Sequence, residues 1–169
     1  RPTNEQVENG VRPGLWAMRS ADGIRWETYE GQPNPAGLAC DTQNMFFWDD
    51  RIEQFVGYTR CTETQHRAEA AESGASIVRR SLGSYRAVAR MTSPDFKTWT
   101  KSEIVFQADD PDLSIPVPYQ RDDPRPNLDY YTSCAQKYPF AEDAYFMFPS
   151  AFYHWGEDDY PGTMDVQLL

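Results

Sequence analysis

Apolar positions in this chain fall in short runs, and where they alternate with polar ones the period is two, not 3.6, which predicts strands. Leu15-Trp16-Ala17-Met18-Arg19-Ser20 and Ile24-Arg25-Trp26-Glu27-Thr28-Tyr29 flank Ala21-Asp22-Gly23. Asp-Gly between two β-prone runs is a hairpin signal. A second hairpin is predicted from Asn44-Met45-Phe46-Phe47-Trp48, the polar turn Asp49-Asp50-Arg51, and residues 52–60. Residues 63–80 are polar, rich in Ala, Glu and Arg, and read as either a short surface helix or a mobile insertion. Alternation returns at residues 85–91, with Tyr85, Ala87, Ala89 and Met91 on one face and Arg86 and Arg90 on the other. A third hairpin follows, turning through Ser93-Pro94-Asp95-Phe96-Lys97-Thr98-Trp99 into residues 102–106.

The first and third hairpins share a spacing. Ser20, Asp22 and Trp26 recur as Ser93, Asp95 and Trp99, each set directly after a strand containing Arg and Met. A Ser or Asp in a turn bonds the backbone that follows it, and the Trp anchors the next strand. A unit of this kind, unable to bury both faces alone, points to a repeat array. After a connector rich in Pro and Asp (residues 109–126), strands are expected again around residues 128–135, 144–153 and 164–169. The final run reads as a strand leading toward a third Ser-x-Asp turn.

Several segments carry a family resemblance: residues 41–60, 85–99, 130–153 and 163–169. Their order, a strand pair, an Arg-containing strand, the Ser-x-Asp turn with its Trp, and another strand, resembles the blades of five-bladed β-propeller glycoside hydrolases of families 32, 43 and 68. The likeness is most specific to uncharacterised bacterial proteins placed near family 32. It implies an all-β fold: a partial five-bladed β-propeller of about two blades of antiparallel strands. Residues 15–38 would end one blade, 41–107 form a second and 128–169 begin a third. The catalytic motifs of family 32 (Asn-Asp-Pro-Asn, Arg-Asp-Pro and Glu-Cys) are absent, and Arg121-Asp122-Asp123-Pro124 only echoes the second. Nor do the turns match the sialidase Asp box, because Gly23 follows Asp22 directly and Asp95 has no Gly after it.

Carboxylates that open the inner strands of a propeller converge on one point, and Asp41 and Asp129 hold that position. Glycoside hydrolysis needs two carboxyl groups flanking the scissile bond. Asp41 is the candidate base or nucleophile, and Asp129 the candidate second carboxylate that tunes a pKa or stabilises positive charge on the sugar ring. The plainer reading is that both cap backbone amides at turns. Asn44, Tyr130, Tyr131, His154 and Trp155 are candidate substrate contacts, the aromatic rings as stacking platforms for sugar faces. Core packing between blades explains Tyr130, Tyr131 and Trp155 equally well and is the expected role of Trp48, and His154, a lone histidine without a second ligand, reads either as lining a pocket or as structural. Glu142, in an exposed turn, is a poor general acid, so the acid is expected outside the chain. Asp165 is expected to pair with Arg86 or Arg90.

A formal charge of -10 over 169 residues argues against a nucleic-acid partner, which needs clustered Lys and Arg. No run is long and apolar enough to span a membrane. Cys40, Cys61 and Cys134 lack zinc-ligand spacing and read as free thiols, and no phosphate cradle or Ser/His/Asp arrangement is present, so no cofactor or metal is expected. A carbohydrate is the expected partner and secretion or a periplasmic location is compatible with the sequence. Two functions fit: a fragment of a glycoside hydrolase-like propeller acting on a glycan, inactive by itself, or a non-catalytic propeller module that binds carbohydrate or protein. Open blades of the first kind are expected to self-associate or aggregate.

Overall fold

The computed structural model describes residues 8, 15, 17–29, 43–62, 86–109, 112, 128–154 and 162–169. The described residues form an all-β architecture of antiparallel sheets. Asp41, Trp155, Cys40, Tyr85, the stretch 63–80 and most of the connector 109–126 lie outside them.

β1 (Met18–Arg19) and β2 (Glu27–Thr28) make the first hairpin, with Met18 opposite Thr28. The central sheet is a four-stranded meander of β3 (Met45–Asp49), β4 (Gln54–Thr62), β5 (Arg86–Ser93) and β6 (Glu103–Phe106), in that spatial order. Alternation sorts its two faces. Val56, Tyr58 and Val88 pack under Ala135 and Met147 of the following unit, whereas Cys61, Ala87 and Ala89 pack with Ile104. Full burial of a side chain such as Val56 or Val88 stabilises by about 1.5–3 kcal/mol, so these few positions weigh heavily in so small a core.

The third unit contains β7 (Leu128–Tyr130), β8 (Gln136–Lys137), β9 (Tyr145–Phe146), β10 (Ser150–His154) and β11 (Gly162–Val166). β7 pairs with β10, and β8 with β9. Backbone bonds from Tyr131 N to Ser150 O and from Phe148 N to Ser133 O, 2.8 and 3.0 Å, carry the pairing between them. The unit is therefore one long hairpin, broken where Cys134 takes a φ of 44°. Tyr130 faces Ala151 but Gln136 faces Phe146, so the register slips by one position across the break, the signature of a bulge. β11 completes a three-stranded order β11-β10-β7. A second core cluster of Ala108, Leu128, Tyr130 and Ala151 joins this unit to the end of the central sheet.

The two Ser-x-Asp turns have the same internal bonding. Ser20 Oγ donates to Asp22 Oδ1 at 3.1 Å, and that oxygen accepts from the N–H groups of Ile24 and Arg25. Ser93 Oγ donates to Asp95 Oδ1 at 3.1 Å, and that oxygen accepts from Lys97 and Thr98. The residue after each Asp is left-handed, Gly23 at φ 73° and Phe96 at φ 62°. Their tryptophans differ: Trp99 lies against Phe46 and Phe96, while Trp26 is 58% exposed.

The tips of two hairpins are tied by a polar cluster that the sequence presents as an ordinary turn. Asp49 is fully buried; it accepts bonds from the Tyr145 hydroxyl and from the Arg51 backbone N–H, the latter at 3.1 Å. Arg51 donates through Nη1 to the Glu142 carbonyl at 2.7 Å and lies over the Tyr145 ring. Lys137 bonds Asp50. Two expectations are corrected here. Trp48 is not core packing between units, being 48% exposed with its ring edge on Phe55. Asp165 sits exposed on β11, and the partner of Arg86 is Asp129.

Candidate functional site

The strand order brings the start of β5, the middle of β7 and the end of β10 together at one end of the sheets. Phe152 lies opposite Asp129, and His154 ends β10 two positions further on. Asp129 is 2% exposed and its carboxylate faces two cations or potential cations. Its Oδ2 accepts from Arg86 Nη1 at 3.0 Å and from the Arg86 backbone N–H at 3.2 Å, and lies 3.2 Å from His154 Nε2. Its Oδ1 lies 3.3 Å from the same Arg86 Nη1. An isolated buried carboxylate is costly to desolvate, and this arrangement supplies the compensating donors. The backbone bond comes from Arg86, 43 positions earlier in the chain, so the amide that Asp129 caps belongs to another unit and not to a turn of its own.

His154 is fixed by the same oxygen. Its Nε2 lies 3.2 Å from Asp129 Oδ2, and its Nδ1 is buried with no hydrogen-bond partner among the described residues. The imidazole also stands edge-on to Phe152, centroids 4.6 Å apart.

Arg86 is the residue that reading the sequence alone did not place in the site. Alternation assigned it to the polar face of β5, and nothing in that pattern reveals that this face meets β7. Its guanidinium carbon lies 4.8 Å from the Tyr131 ring centre and 5.5 Å from that of Phe152. The ion pair uses Nη1, so Nη2 and Nε remain outside it. With a side chain 25% exposed, Arg86 is a positioned cation whose Nη2 and Nε have no acceptor among the described residues.

The candidate contacts separate into two groups. Tyr131 lies with Arg86 and also beneath Arg60, 5.5 Å from its ring centre. Tyr130 instead points into the core: it is 2% exposed, its ring centre is 4.3 Å from that of Phe106, and its hydroxyl donates to Asp112 at 3.3 Å. Burial, then the Asp112 carboxylate, pushes its pKa up. It therefore offers no free face to a sugar. Asn44 is half-buried just before β3. Asp41 and Trp155 lie outside the described residues, so the separation between Asp41 and Asp129 is not defined. Among the described residues no group of three or more His, Cys, Asp or Glu side chains could hold a metal ion, and no helix is long and apolar enough to cross a membrane.

The chain matches no protein-family model, and comparisons with curated proteins and with solved structures give no match.

Proposed function

We propose that this chain belongs to a glycan-acting β-propeller of the glycoside hydrolase type, with its sugar site where Arg86, Asp129, Tyr131 and His154 meet. The observation that carries this reading is Arg86: a guanidinium held on one side by a buried carboxylate and flanked by aromatic rings, with donors left over. Sugar hydroxyls are acceptors for such donors, and sugar C–H faces stack on rings such as Tyr131. The four-stranded meander followed by a second meander, each open to a neighbour on its faces, fits the blade arrangement of a propeller. In this reading Asp129 holds Arg86 and supplies fixed negative charge near the sugar ring, while Asp41 is the base or nucleophile.

A second reading, a non-catalytic glycan-binding module, is favoured by one detail: Arg86 already offsets the charge of Asp129, which leaves that carboxylate little to lend to a sugar ring turning cationic. Measuring binding and reducing-sugar release by the full-length protein over a panel of neutral glycans separates the two. An enzyme loses release in Asp41→Asn and keeps it in Asp22→Asn. A binder shows no release at all, but loses at least about tenfold in affinity in Arg86→Ala, equivalent to about 1.4 kcal/mol. Glycan affinity indifferent to Arg86→Ala rejects the site in both forms.

A further inference from the structure

We propose that Asp22-Gly23 is a latent modification site, an aspartyl linkage that rearranges to isoaspartate, and that the Ser20 hydroxyl keeps it closed. The chemistry is intramolecular. The backbone nitrogen of Gly23 attacks Cγ of Asp22; the Gly23 N–H proton and the carboxyl hydroxyl leave together as water, and a succinimide ring forms. Water then opens the ring. Addition at Cγ restores Asp22, whereas addition at the main-chain carbonyl leaves Gly23 bonded through the side chain, with one methylene added to the backbone. Glycine favours the step because it has no Cβ beside the attacking nitrogen. The surroundings offer no shield either, since a Cβ built at Gly23 would meet nothing within 4 Å.

The folded turn withholds each requirement of that attack. The nitrogen must be free, but the Gly23 N–H donates to Ser20 Oγ at 2.8 Å. Cγ must swing toward that nitrogen carrying a neutral carboxyl. Instead Asp22 Oδ1 accepts from the N–H groups of Arg25 and Ile24 at 2.8 and 2.9 Å, and from Ser20 Oγ at 3.1 Å. Donation from Arg25, then from Ile24, favours the ionised form and lowers the pKa of Asp22. Arg25 Nη1, 3.2 Å from Oδ2, holds the second oxygen.

This closure is lightly built. The turn sits on β1 and β2, two residues each, which form a two-stranded sheet of their own. A ribbon of that size is marginal in water, and residues 21–28 are exposed, so the turn opens locally far more often than the central sheet unfolds. The second Ser-x-Asp turn provides a comparison within the same chain. Asp95 is held by the same bonds, but Phe96 follows it, and a side chain on that residue crowds the attacking nitrogen. One residue thus separates the chemical fates of two turns with one bonding pattern.

Trypsin isolates both turns from the full-length protein. Cleavage after Arg19 and Arg25 releases residues 20–25, and cleavage after Arg90 and Lys97 releases residues 91–97. Chromatography with electron-transfer fragmentation counts isoaspartate in each peptide after prolonged warming of the folded protein near neutral pH. The expected rate at Asp22 is at least about tenfold below that in the free peptide of residues 20–25, corresponding to about 1.4 kcal/mol or more for opening the turn. Ser20→Ala is expected to raise isoaspartate formation and hydrogen exchange at the Arg25 N–H in step, at least about threefold, without moving the urea midpoint of the protein. Ser20→Thr, which keeps the hydroxyl, restores the slow rate, and Asp95 stays aspartyl throughout. Equal rates in the protein and the free peptide, isoaspartate formation indifferent to Ser20→Ala, or isoaspartate accumulating at Asp95 as fast as at Asp22 overturns the proposal.

Discussion

Asp129 Oδ2 lies 3.0 Å from Arg86 Nη1 and 3.2 Å from the backbone N–H of the same arginine, 43 positions earlier in the chain. One carboxylate oxygen thus fixes both ends of Arg86. The first strand of the third unit is locked by it to the third strand of the central sheet, and the same contact orients the guanidinium that the proposed sugar site depends on.

Removing the charge from Asp129 should therefore loosen the joint between units before it touches any chemistry. Asp129→Asn leaves Arg86 with a weakened partner and is expected to lower stability by about 1–3 kcal/mol. The loss stays below that for a wholly buried pair because water reaches part of the arginine side chain. Replacing both partners, Asp129→Leu with Arg86→Met, should recover much of that loss while removing the glycan affinity proposed above. Urea unfolding of the three variants measures the pattern. A double variant no more stable than Asp129→Asn contradicts it.

The Ser-x-Asp turns make a separate prediction in acid. Backbone N–H donation from Thr98, then from Lys97, holds the Asp95 carboxyl down at about 2, against an ordinary 3.8. Asp22 is lowered in the same way, first by Arg25 and then by Ile24. Because the folded pKa lies below the unfolded one, the turn's contribution to stability is complete above about pH 4 and is lost as pH falls toward 2. Titration of the Asp95 carboxyl by NMR should give a midpoint near 2. Asp95→Asn should flatten the acid limb of the stability curve, and a midpoint at or above 3.8 excludes the turn as its cause.

Much of the strand plan was legible because it rests on local signals. The turn at Asp22 carries its own bonding residues, and the alternation of residues 86–93 separates the face of Ala87, Ala89 and Met91 from that of Arg86 and Arg90, although Val88 makes the second face part of the core as well. What the sequence could not express is which face meets which neighbour. Arg86 was expected to pair, if at all, with Asp165, and its partner is instead Asp129, set by packing between units. Asp49 looked like part of a polar turn, yet it is fully buried because Tyr145 reaches it from another hairpin. Tyr130 and Tyr131 are adjacent and chemically alike; strand alternation alone sends the first into the core and the second to Arg86.

Gly57 illustrates a constraint from close approach. It stands opposite both Phe46 and Met91, and a methyl group there would come within 2.6 Å of Phe46 Cε1 and 3.2 Å of Met91 Cγ. Phe46 cannot retreat freely, since its ring packs on Trp99 with centroids 5.3 Å apart. Gly57→Ala is expected to cost about 1–3 kcal/mol through overpacking, despite the better strand propensity of alanine. The midpoint of guanidinium unfolding measures it, and a neutral or stabilising substitution means the Phe46 ring has room the structure does not show.

The paired turns allow a comparison of one backbone conformation with two side chains. Gly23 and Phe96 both follow the turn Asp at positive φ, where a residue with a Cβ is strained by about 1–2 kcal/mol. A Cβ on Gly23 would meet nothing within 4 Å, so Gly23→Ala should cost about 1 kcal/mol from conformation alone. Phe96 sustains the same strain because its ring is a hub: its centroid lies 5.0 Å from that of Phe55, 5.4 Å from that of Trp99, and 6.0 Å from those of Phe46 and Tyr29. The Tyr29 contact also reaches the end of the first hairpin. Phe96→Gly relieves the backbone but forfeits these edge-on contacts, each worth about 0.5–1.5 kcal/mol beyond burial. The net effect should be destabilising by about 1–3 kcal/mol, with the loss of order extending to β1 and β2. Thermal unfolding of both variants, with hydrogen exchange at Tyr29, whose N–H donates to the Ala17 carbonyl at 2.9 Å, distinguishes the two causes: if Phe96→Gly proves as stable as the parent, the ring cluster does not hold the first hairpin in place.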